Sequence, residues 1–296
     1  MSTLDEIVKK AKSIPPLSQA AQSIIALMSD PEHDVQKMAQ MLQCDAALTA
    51  RILTVVNSAA FALAEPITTV SRAVMYLGDK MVLGIALDFC TQGLLHRPLE
   101  GYLGPQDVLW EHNLRTALTA RAIAGMSKKV TSPDLAFTGG ILHDIGKSVI
   151  SGFLKGTAED VLAGIDRGEF TDYLAGEQQK IGTNHCIIGA ALALLWKLPQ
   201  PFPDIIRYHH HPHQADAKYR AVTYAVHVGD IMAMMGGTGT GSDDMCYRLD
   251  DRFAEVLGIT PDLLVDVMTG VDYEFQRTKA LLFGGNVTNE NNSAGR

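Results

Sequence analysis

The stretch Gly139-Gly140-Ile141-Leu142-His143-Asp144-Ile145-Gly146-Lys147 places a histidine directly before an aspartate, among apolar and glycine residues. Imidazole and carboxylate groups are the ligands that borderline divalent metal ions prefer. One such pair carries little weight, because a single histidine on an apolar helix usually has a structural role. Its meaning therefore depends on the residues that accompany it elsewhere in the chain.

Other residues of the same ligand types lie on both sides of this pair. They are His112, His185, His209, His210 and Asp230. No HxxxH spacing occurs among them, so we expect the ligands to come from separate helices and to meet inside a bundle. Together with His143 and Asp144, they are candidate ligands for one or two divalent transition-metal ions, chosen from Fe, Mn, Zn and Ni.

The apolar residues follow a helical repeat over most of the chain. One example begins after Asp34, which is a candidate N-cap. Its apolar face has the spacing i, i+3, i+4 and i+7 and consists of Val35, Met38, Ala39 and Leu42. No good run of alternating apolar and polar residues is present, and the sequence therefore predicts an all-α protein.

The chain is interrupted most strongly between His96 and Gln106, a stretch with two prolines and two glycines, or three glycines if the count starts at Gly93. This stretch precedes the part of the chain that contains the clustered histidines. We therefore predict two packed helical subdomains, one over residues 1–98 and one over residues 99–283. Residues 284–296 are polar and rich in asparagine, and they predict a flexible tail.

Composition limits the classes of function. The chain has 296 residues, of which 47% are hydrophobic and 20% are charged, and its net charge is −8. This balance can fill a sizeable core, which excludes a disordered chain. The acidic charge disfavours DNA binding, which needs a basic surface to neutralise phosphates.

Two further features indicate a cytoplasmic protein without a membrane span. The chain begins without the basic and apolar segments of a signal peptide, and its longest apolar run is about half of the roughly 20 residues that cross a bilayer. The cysteines form no CxxC pair, so they predict small buried apolar residues in a reducing compartment and no thiolate zinc site. They are Cys44, Cys90, Cys186 and Cys246.

The segment 236–241 has the sequence Gly-Gly-Thr-Gly-Thr-Gly. It lacks the Gly-Lys-Ser/Thr ending of a phosphate-binding loop, so we interpret it as a flexible connection.

The stretch around His143 and Asp144 resembles the signature of the HD superfamily of metal-dependent phosphohydrolases. Four further elements resemble the other parts of that signature, in the family's order. They are Trp110-Glu111-His112, Asn184 to Pro199, Ile205 to His210, and Val226 to Asp230. In that superfamily the aspartate of the His-Asp pair can bridge two metal ions, so the resemblance implies this role for Asp144.

The first part of the chain resembles the HDOD domain, an HD-related output domain of bacterial signalling proteins. The matching segments are Ile14 to Leu17, Cys44 to Thr49, Val56 to Phe61 and Ala73 to Gly78. The resemblance extends from roughly residue 14 to residue 280. It implies an HD-type helical bundle in the second subdomain and a stand-alone HDOD protein.

Two departures from relatives of the superfamily concern activity. Relatives that hydrolyse cyclic di-GMP carry a Gly-Tyr-Pro motif after the paired histidines, and residues 211–220 lack it. We therefore expect little or no cleavage of that dinucleotide. Val108 stands where some relatives have a glutamate for a third metal ion, so a three-metal site is not expected.

Two functions remain open at this stage. The first is a signal-transduction or regulatory protein that binds a signalling partner or a nucleotide or phosphoester ligand, without DNA or membrane binding. The alternative is a metal-dependent phosphohydrolase that acts on a nucleotide or another phosphoester. In that case Asp144 would be catalytic as the bridging ligand, and Lys147 would hold a phosphate oxygen. The ordinary alternative for Lys147 is an exposed lysine at a helix end.

Overall fold

The computed structural model describes residues 2–28, 30, 34–130 and 132–283. These residues form helices and loops, without any β-strand, which confirms the prediction of an all-α fold. The α-helices are α1 (Thr3–Ser13), α2 (Gln19–Met28), α3 (Val35–Gln43), α4 (Ala46–Val56), α5 (Val70–Leu77), α6 (Asp79–Leu95), α7 (Val108–Met126), α8 (Pro133–Leu142), α9 (Ile145–Ile150), α10 (Ala158–Asp166), α11 (Tyr173–Ile181), α12 (His185–Leu195), α13 (Phe202–Tyr208), α14 (Arg220–Met235), α15 (Phe253–Leu257) and α16 (Leu263–Phe283).

Short polar side chains set the starts of several helices. The Asp34 carboxylate accepts a hydrogen bond from the Gln36 amide at 2.8 Å, as the predicted N-cap of α3 should. The Asp45 carboxylate accepts from the amides of Ala47 and Leu48 at the start of α4. Each cap satisfies backbone donors that have no partner within the helix.

The first helical group consists of α1 to α6 and has a mainly apolar interior, although Asp88 and Thr91 of α6 are also buried. Here α3 packs against α2, α4 and α5, while α6 packs against α2, α4 and α5. Fully buried side chains fill the space between them, including Ile24, Leu48 and Ile52. Burial of such side chains stabilises this group without any need for a polar interior.

The second helical group consists of α7 to α16. It is built around α7, which packs against α8, α14 and α16. Two glycines of the stretch 139–147 allow unusually close packing. A Cβ atom on Gly140 would lie 2.5 Å from the Cα of Ala117 on α7, and one on Gly146 would lie 2.0 Å from the backbone oxygen of His185 on α12. Glycine at these positions therefore brings α8 onto α7 and α9 onto α12.

The two groups contact one another directly. Helix α1 packs on α9 and α12, and α6 packs on α9. The Trp196 indole N–H donates to the Pro15 carbonyl at 3.0 Å, and the Lys10 ammonium donates to the Val149 carbonyl at 2.8 Å. The division into residues 1–98 and 99–283 stays a prediction, and the predicted tail at 284–296 lies outside the described residues.

The stretch His96–Gln106 is packed rather than loose. A short 3-10 helix (Glu100–Tyr102) lies within it, and both Leu99 and Tyr102 are buried. A Cβ atom on Gly101 would lie 2.2 Å from the Ser151 carbonyl oxygen. The glycines that suggested a soft connection therefore serve close packing, which the composition of the stretch did not indicate. Among the described residues, no helix combines the length and the apolar character needed to cross a membrane.

Candidate metal centre

The predicted ligands come from several elements and meet in the interior of the second group. His112 lies on α7 and Asp230 on α14, while His185 is the first residue of α12. His143 ends α8 and Asp144 precedes α9, so the pair occupies the junction between two helices. His209 and His210 follow α13. His210 is 9% exposed, and each of the other six is at most 2% exposed.

Four ligand atoms form the first set, and they belong to His112, His143, Asp144 and Asp230. The Nε2 atoms of both histidines lie 3.1 to 3.7 Å from Asp144 Oδ2 and Asp230 Oδ1. The two Nε2 atoms are 3.3 Å apart. The edges of a tetrahedral site with bonds of about 2.0–2.1 Å are about 3.4 Å long, so the atoms of His112, His143 and Asp144 have the spacing of ligands that share one ion.

A second set of ligand atoms lies close to Asp144 Oδ1, the other oxygen of that carboxylate. Asp144 Oδ1 is 3.3 Å from His185 Nε2 and 3.5 Å from His209 Nε2. His210 Nε2 is 3.2 Å from His185 Nε2. Asp144 therefore presents one oxygen to each set, which is the arrangement of a carboxylate that bridges two ions.

Hydrogen bonds behind the site orient four of the histidine rings. In each ring Nδ1 faces an acceptor at 2.7 to 3.0 Å, which leaves Nε2 directed into the site. The pairs are His112 with Thr238 O, His143 with Gly140 O, His185 with the Glu177 carboxylate, and His209 with Ile206 O. An Nδ1–H donor of this kind fixes the tautomer whose Nε2 can bind a metal ion.

The charge states of four of the predicted ligands suit a cation. Burial raises the pKa of Asp144, but Lys147 and the neighbouring histidines outweigh it and hold the pKa well below its usual value. The pKa of Asp230 is also held well below its usual value, since His112 and His143 outweigh burial. Burial lowers the pKa of His143 and of His210. The two carboxylates are therefore ionised, and these two histidines are neutral. Burial also lowers the pKa of the other three histidines, but neighbouring acidic groups outweigh it and raise their pKa, so each would release a proton on binding an ion; they are His112, His185 and His209.

Unpaired polar atoms supply a further test of whether a metal ion fits. Asp144 Oδ1, Asp230 Oδ2 and His210 Nδ1 are buried and make no hydrogen bond with the described protein atoms. Buried carboxylate oxygens without a donor are costly unless a cation compensates them. The residues present therefore fit one or two divalent ions, although their role as ligands stays a prediction.

Lys147 is buried, so its interpretation as an exposed helix-end lysine is wrong. Its Nζ atom lies 2.7 Å from Asp144 Oδ2 and 2.6 Å from Asp243 Oδ2, and it donates to Thr240 Oγ1 at 2.9 Å. An ammonium group has three N–H donors. These three acceptors account for all of them, so a phosphate oxygen could bind Lys147 only by displacing one.

Sequence reasoning missed the residues that support the ligands. Glu177 is fully buried, faces His185 Nδ1 at 2.9 Å and accepts from the Tyr102 hydroxyl at 2.7 Å. Asp243 binds Lys147 from the loop after α14. Asp243 is distant in sequence from Lys147, whereas Glu177 lies only eight residues before His185, and no motif marks either carboxylate.

The glycine-rich segment 236–241 is part of the site and is more than a connection. The backbone oxygen of Thr238 faces His112 Nδ1 at 2.8 Å, and its hydroxyl accepts from Arg115 at 2.9 Å. The Thr240 hydroxyl accepts from Lys147 and donates to Asp243 at 2.7 Å. The threonines of this segment were the sequence signal that could have assigned it to the site.

Cys186 also lies beside the second set. Its Sγ atom is 3.9 Å from both ring nitrogens of His209, and the thiol is buried. Burial raises the pKa of this thiol, but His185 and His209 outweigh it and lower the pKa to about 7. The prediction of buried cysteines holds for Cys186 and is wrong for Cys44, which is exposed.

A cavity of about 310 Å³ reaches the site from outside. Of the seven predicted ligands, only His210 lines it, together with His211, His213 and Tyr247. The Tyr247 ring stacks on His210 with 3.8 Å between ring centroids and 14° between planes. Tyr247 thus covers the one ligand that a molecule in this cavity can contact.

His227, which the sequence places outside the ligand set, has a structural role. It is fully buried, its Nδ1 lies 2.7 Å from the His209 backbone oxygen, and its Nε2 accepts from the Asp250 amide at 2.9 Å. It therefore connects the segment that carries His209 to the loop before α15.

The fold and this cluster together define a class of protein, namely an all-α bundle that buries five histidines and two aspartates in its interior. The model of the HDOD domain family matches residues 14–212, more than half of the sequence. The chain belongs to the HDOD domain family.

Solved structures share this fold. An HDOD domain protein of unknown function from Geobacter sulfurreducens superposes with a TM-score of 0.68 at 24% identity, covering 95% of this chain and 99% of that one. A candidate signal transduction protein from Marinobacter aquaeolei VT8 superposes with a TM-score of 0.71 at 21% identity, covering 92% of this chain and 59% of that one. At these identities the likeness shows the fold alone.

One curated relative matches in sequence. An uncharacterized protein of Treponema pallidum (strain Nichols) is 26% identical over 226 residues, which is 74% of this chain. The matched region spans 42% of that relative's length.

Proposed function

We propose that this protein is a signal-transduction regulator that acts by binding a signalling partner, and that its metal centre stabilises the binding-competent fold without turning over a substrate. The observation that carries the proposal is the enclosure of the ligand cluster. Six of the seven ligands are at most 2% exposed, and Tyr247 stacks on the seventh. The name of the Marinobacter relative, a candidate signal transduction protein, points the same way.

Enclosure matters because hydrolysis requires a phosphoester to reach the ions and to be held in line with the attacking oxygen. The cavity at His210 ends at the Tyr247 ring, and Lys147, the cation nearest to Asp144, uses its donors on Asp144, Asp243 and Thr240. A substrate would have to displace several satisfied contacts. This arrangement favours a stable centre over a catalytic one.

The same ligands would give the ions a structural role. His112, His143 and Asp230 would hold one ion, His185, His209 and His210 the other, and Asp144 both. These residues belong to elements from α7 to α14, so binding at this place would join helices that are far apart in sequence. Free energy of metal binding then adds to the free energy of folding.

The test begins with protein purified without a chelator. Elemental analysis is expected to find about one or two divalent ions per chain, and chelation is expected to lower the melting temperature. No phosphodiesterase activity is expected before chelation, either with bis(para-nitrophenyl) phosphate or with cyclic di-GMP. Robust turnover that is lost in Asp144→Ala and kept in a Glu169→Gln control, which changes an exposed carboxylate outside the site, would contradict the proposal.

The second candidate is a metal-dependent phosphohydrolase. The bridging arrangement of Asp144, with one oxygen toward each set, is the observation that favours it. Bound ions of this kind lower the pKa of water toward neutrality. In this function Asp144 would hold both ions in register, and Lys147 would have to leave Asp243 to bind a phosphate oxygen. Asp243→Asn would then raise phosphoester turnover, whereas the regulatory function predicts no turnover in either protein.

A further inference from the structure

A separate cavity of about 220 Å³ lies between α6, α7, α8 and α16. It shares no lining residue with the predicted metal centre. Its walls are mainly apolar and include Met81, Trp110, Leu114 and Phe137. Most ligand pockets measure about 300–1,000 Å³, so this one suits a small molecule with an apolar body.

The acidic groups of this cavity are already paired. Asp88 accepts from the Arg51 guanidinium at 3.3 Å and lies 2.9 Å from His96 Nε2. Glu274 forms an ion pair with Arg121, whose guanidinium lies over the Phe137 ring. Each carboxylate therefore has a cationic partner within the protein, and neither needs a cation from a ligand.

Two basic side chains remain. Lys80 on α6 and Arg277 on α16 line the cavity from opposite helices, and both are exposed. In the part of the chain that the structure describes, neither forms an ion pair. The cavity thus combines an apolar interior with two uncompensated positive charges, on a protein whose net charge is −8.

We propose that this cavity binds a small amphipathic anion, with its apolar body between α6 and α7 and its single carboxylate or phosphate group on Lys80 and Arg277. An apolar body gains from transfer out of water, and the acidic group gains from two cations that are otherwise unpaired. This inference rests on the cavity alone and stands independently of the metal centre and of the proposed function.

The position of the cavity gives such a ligand contact with both helical groups. Met81 and Gly84 belong to α6 of the first group, whereas Trp110 and Ile141 belong to α7 and α8 of the second. Trp110 and Ile141 also precede His112 and His143 by two residues each. A bound anion therefore touches α7, which carries His112, and α8, which ends beside His143, and these are two of the elements that position the first set of predicted ligands.

Gly84 allows the cavity to be filled by substitution. A Cβ atom on Gly84 would meet only the end of the Phe137 ring, at 3.8 Å, so a larger side chain enters the cavity without a backbone clash. Gly93 on the same helix is exposed, and a Cβ atom there meets nothing within 4 Å. Gly84→Leu and Gly93→Leu are consequently a matched pair, of which only the first occupies the cavity.

The test uses the full chain and the fluorescent anion anilinonaphthalene sulfonate, in a Trp196→Phe background that leaves Trp110 as the energy donor. We expect saturable binding with energy transfer from Trp110. Gly84→Leu should weaken this binding at least about tenfold, which corresponds to about 1.4 kcal/mol, while Gly93→Leu should leave it unchanged. Equal binding by both leucine variants would overturn the proposal.

Charge reversal supplies a second readout that does not depend on filling the cavity. Lys80→Glu combined with Arg277→Glu should weaken the binding of the sulfonate, whereas Arg72→Glu, an exposed charge change on α5, should not. Competition separates the sources of the anion, since displacement by decanoate indicates an aliphatic acid and displacement by adenosine monophosphate indicates a nucleotide. If uncharged decanol displaces the probe as well as decanoate does, the anionic part of the proposal is wrong.

Discussion

The two helical groups of this protein differ in the chemistry of their buried side chains. The group α1 to α6 is filled by apolar side chains such as Ile24, Leu48 and Ile52, all fully buried. The group around α7 instead buries histidines, two ligand-type aspartates and a lysine in one cluster. Apolar burial is favourable by itself, whereas buried charge is favourable only when it is compensated. The second group should therefore depend on a bound cation, and the first should not.

The largest effect is expected from Asp144→Ala, because Asp144 contributes to both sets of ligand atoms. The substitution should abolish metal binding and lower the free energy of unfolding by about 3–5 kcal/mol, the range for breaking a buried charge pair. Lys147 would lose one of its two carboxylate partners. Elemental analysis and urea unfolding measure the two effects. Retention of the full metal content would show that Asp144 is not a shared ligand.

The opposite side of the comparison is tested by Ile52→Ala in the first group. Ile52 is fully buried on α4, so its truncation should lower the free energy of unfolding by about 2–5 kcal/mol through lost burial and a new cavity. Metal content should stay at the level of the unmodified chain. A loss of bound metal in this variant would mean that metal binding in the second group depends on the packing of the first.

A smaller effect is expected from Glu177→Gln. Glu177 faces Nδ1 of His185 and accepts from its backbone amide at 2.8 Å, so it orients a ligand without binding the ion itself. Loss of such a supporting carboxylate usually costs about 10–100-fold in metal affinity. Titration with a competing chelator measures the affinity. As a control, Glu169→Gln changes an exposed carboxylate outside the site and should leave the affinity unchanged.

The smallest effect concerns His96, which joins the end of α6 to the start of α7. Burial lowers the pKa of His96, but hydrogen bonds with Asp88 and Asp107 outweigh it, and the net pKa is raised. A raised pKa in the folded state stabilises the protein fully below the unfolded value of about 6.5, and this contribution is lost as the pH rises through the folded value.

His96→Gln should therefore be less stable than the unmodified chain at pH 5.5, by no more than about 1 kcal/mol, and the difference should shrink as the pH rises toward 9. Urea unfolding of both proteins across this range measures it. A difference that grows with pH would mean that His96 is neutral in the folded protein.

Much of this comparison was predictable from the sequence, because the signals were local. Helical spacing predicted the elements, and Asp34 marked the start of α3. The His-Asp pair and its companions predicted which residues the structure would gather, since each lies in its own short motif. The HDOD assignment came from other residues, the segments of the first part of the chain that resemble the family, such as Cys44 to Thr49 and Ala73 to Gly78.

The remainder depends on contacts between distant parts of the chain. Glu177 and Asp243 reach the site from a helix and a loop that carry no motif, and Tyr247 covers His210 from the same loop. The stretch His96–Gln106 was interpreted as a break between subdomains, because its glycines gave no indication of what packs against them. The cavity at Lys80 and Arg277 is lined from several helices, so no single segment could reveal it.

The dependence of only one helical group on a cation is the central claim, and hydrogen exchange tests it most directly. Amide hydrogen exchange of the full chain is measured before and after chelation, separately for each proteolytic peptide. We predict that chelation increases exchange in α7, α12 and α14, which carry predicted ligands, and in α8, which ends beside His143, and that it leaves α2 to α5 unchanged. Identical exchange in all helices, or an equal increase in both groups, would contradict the account.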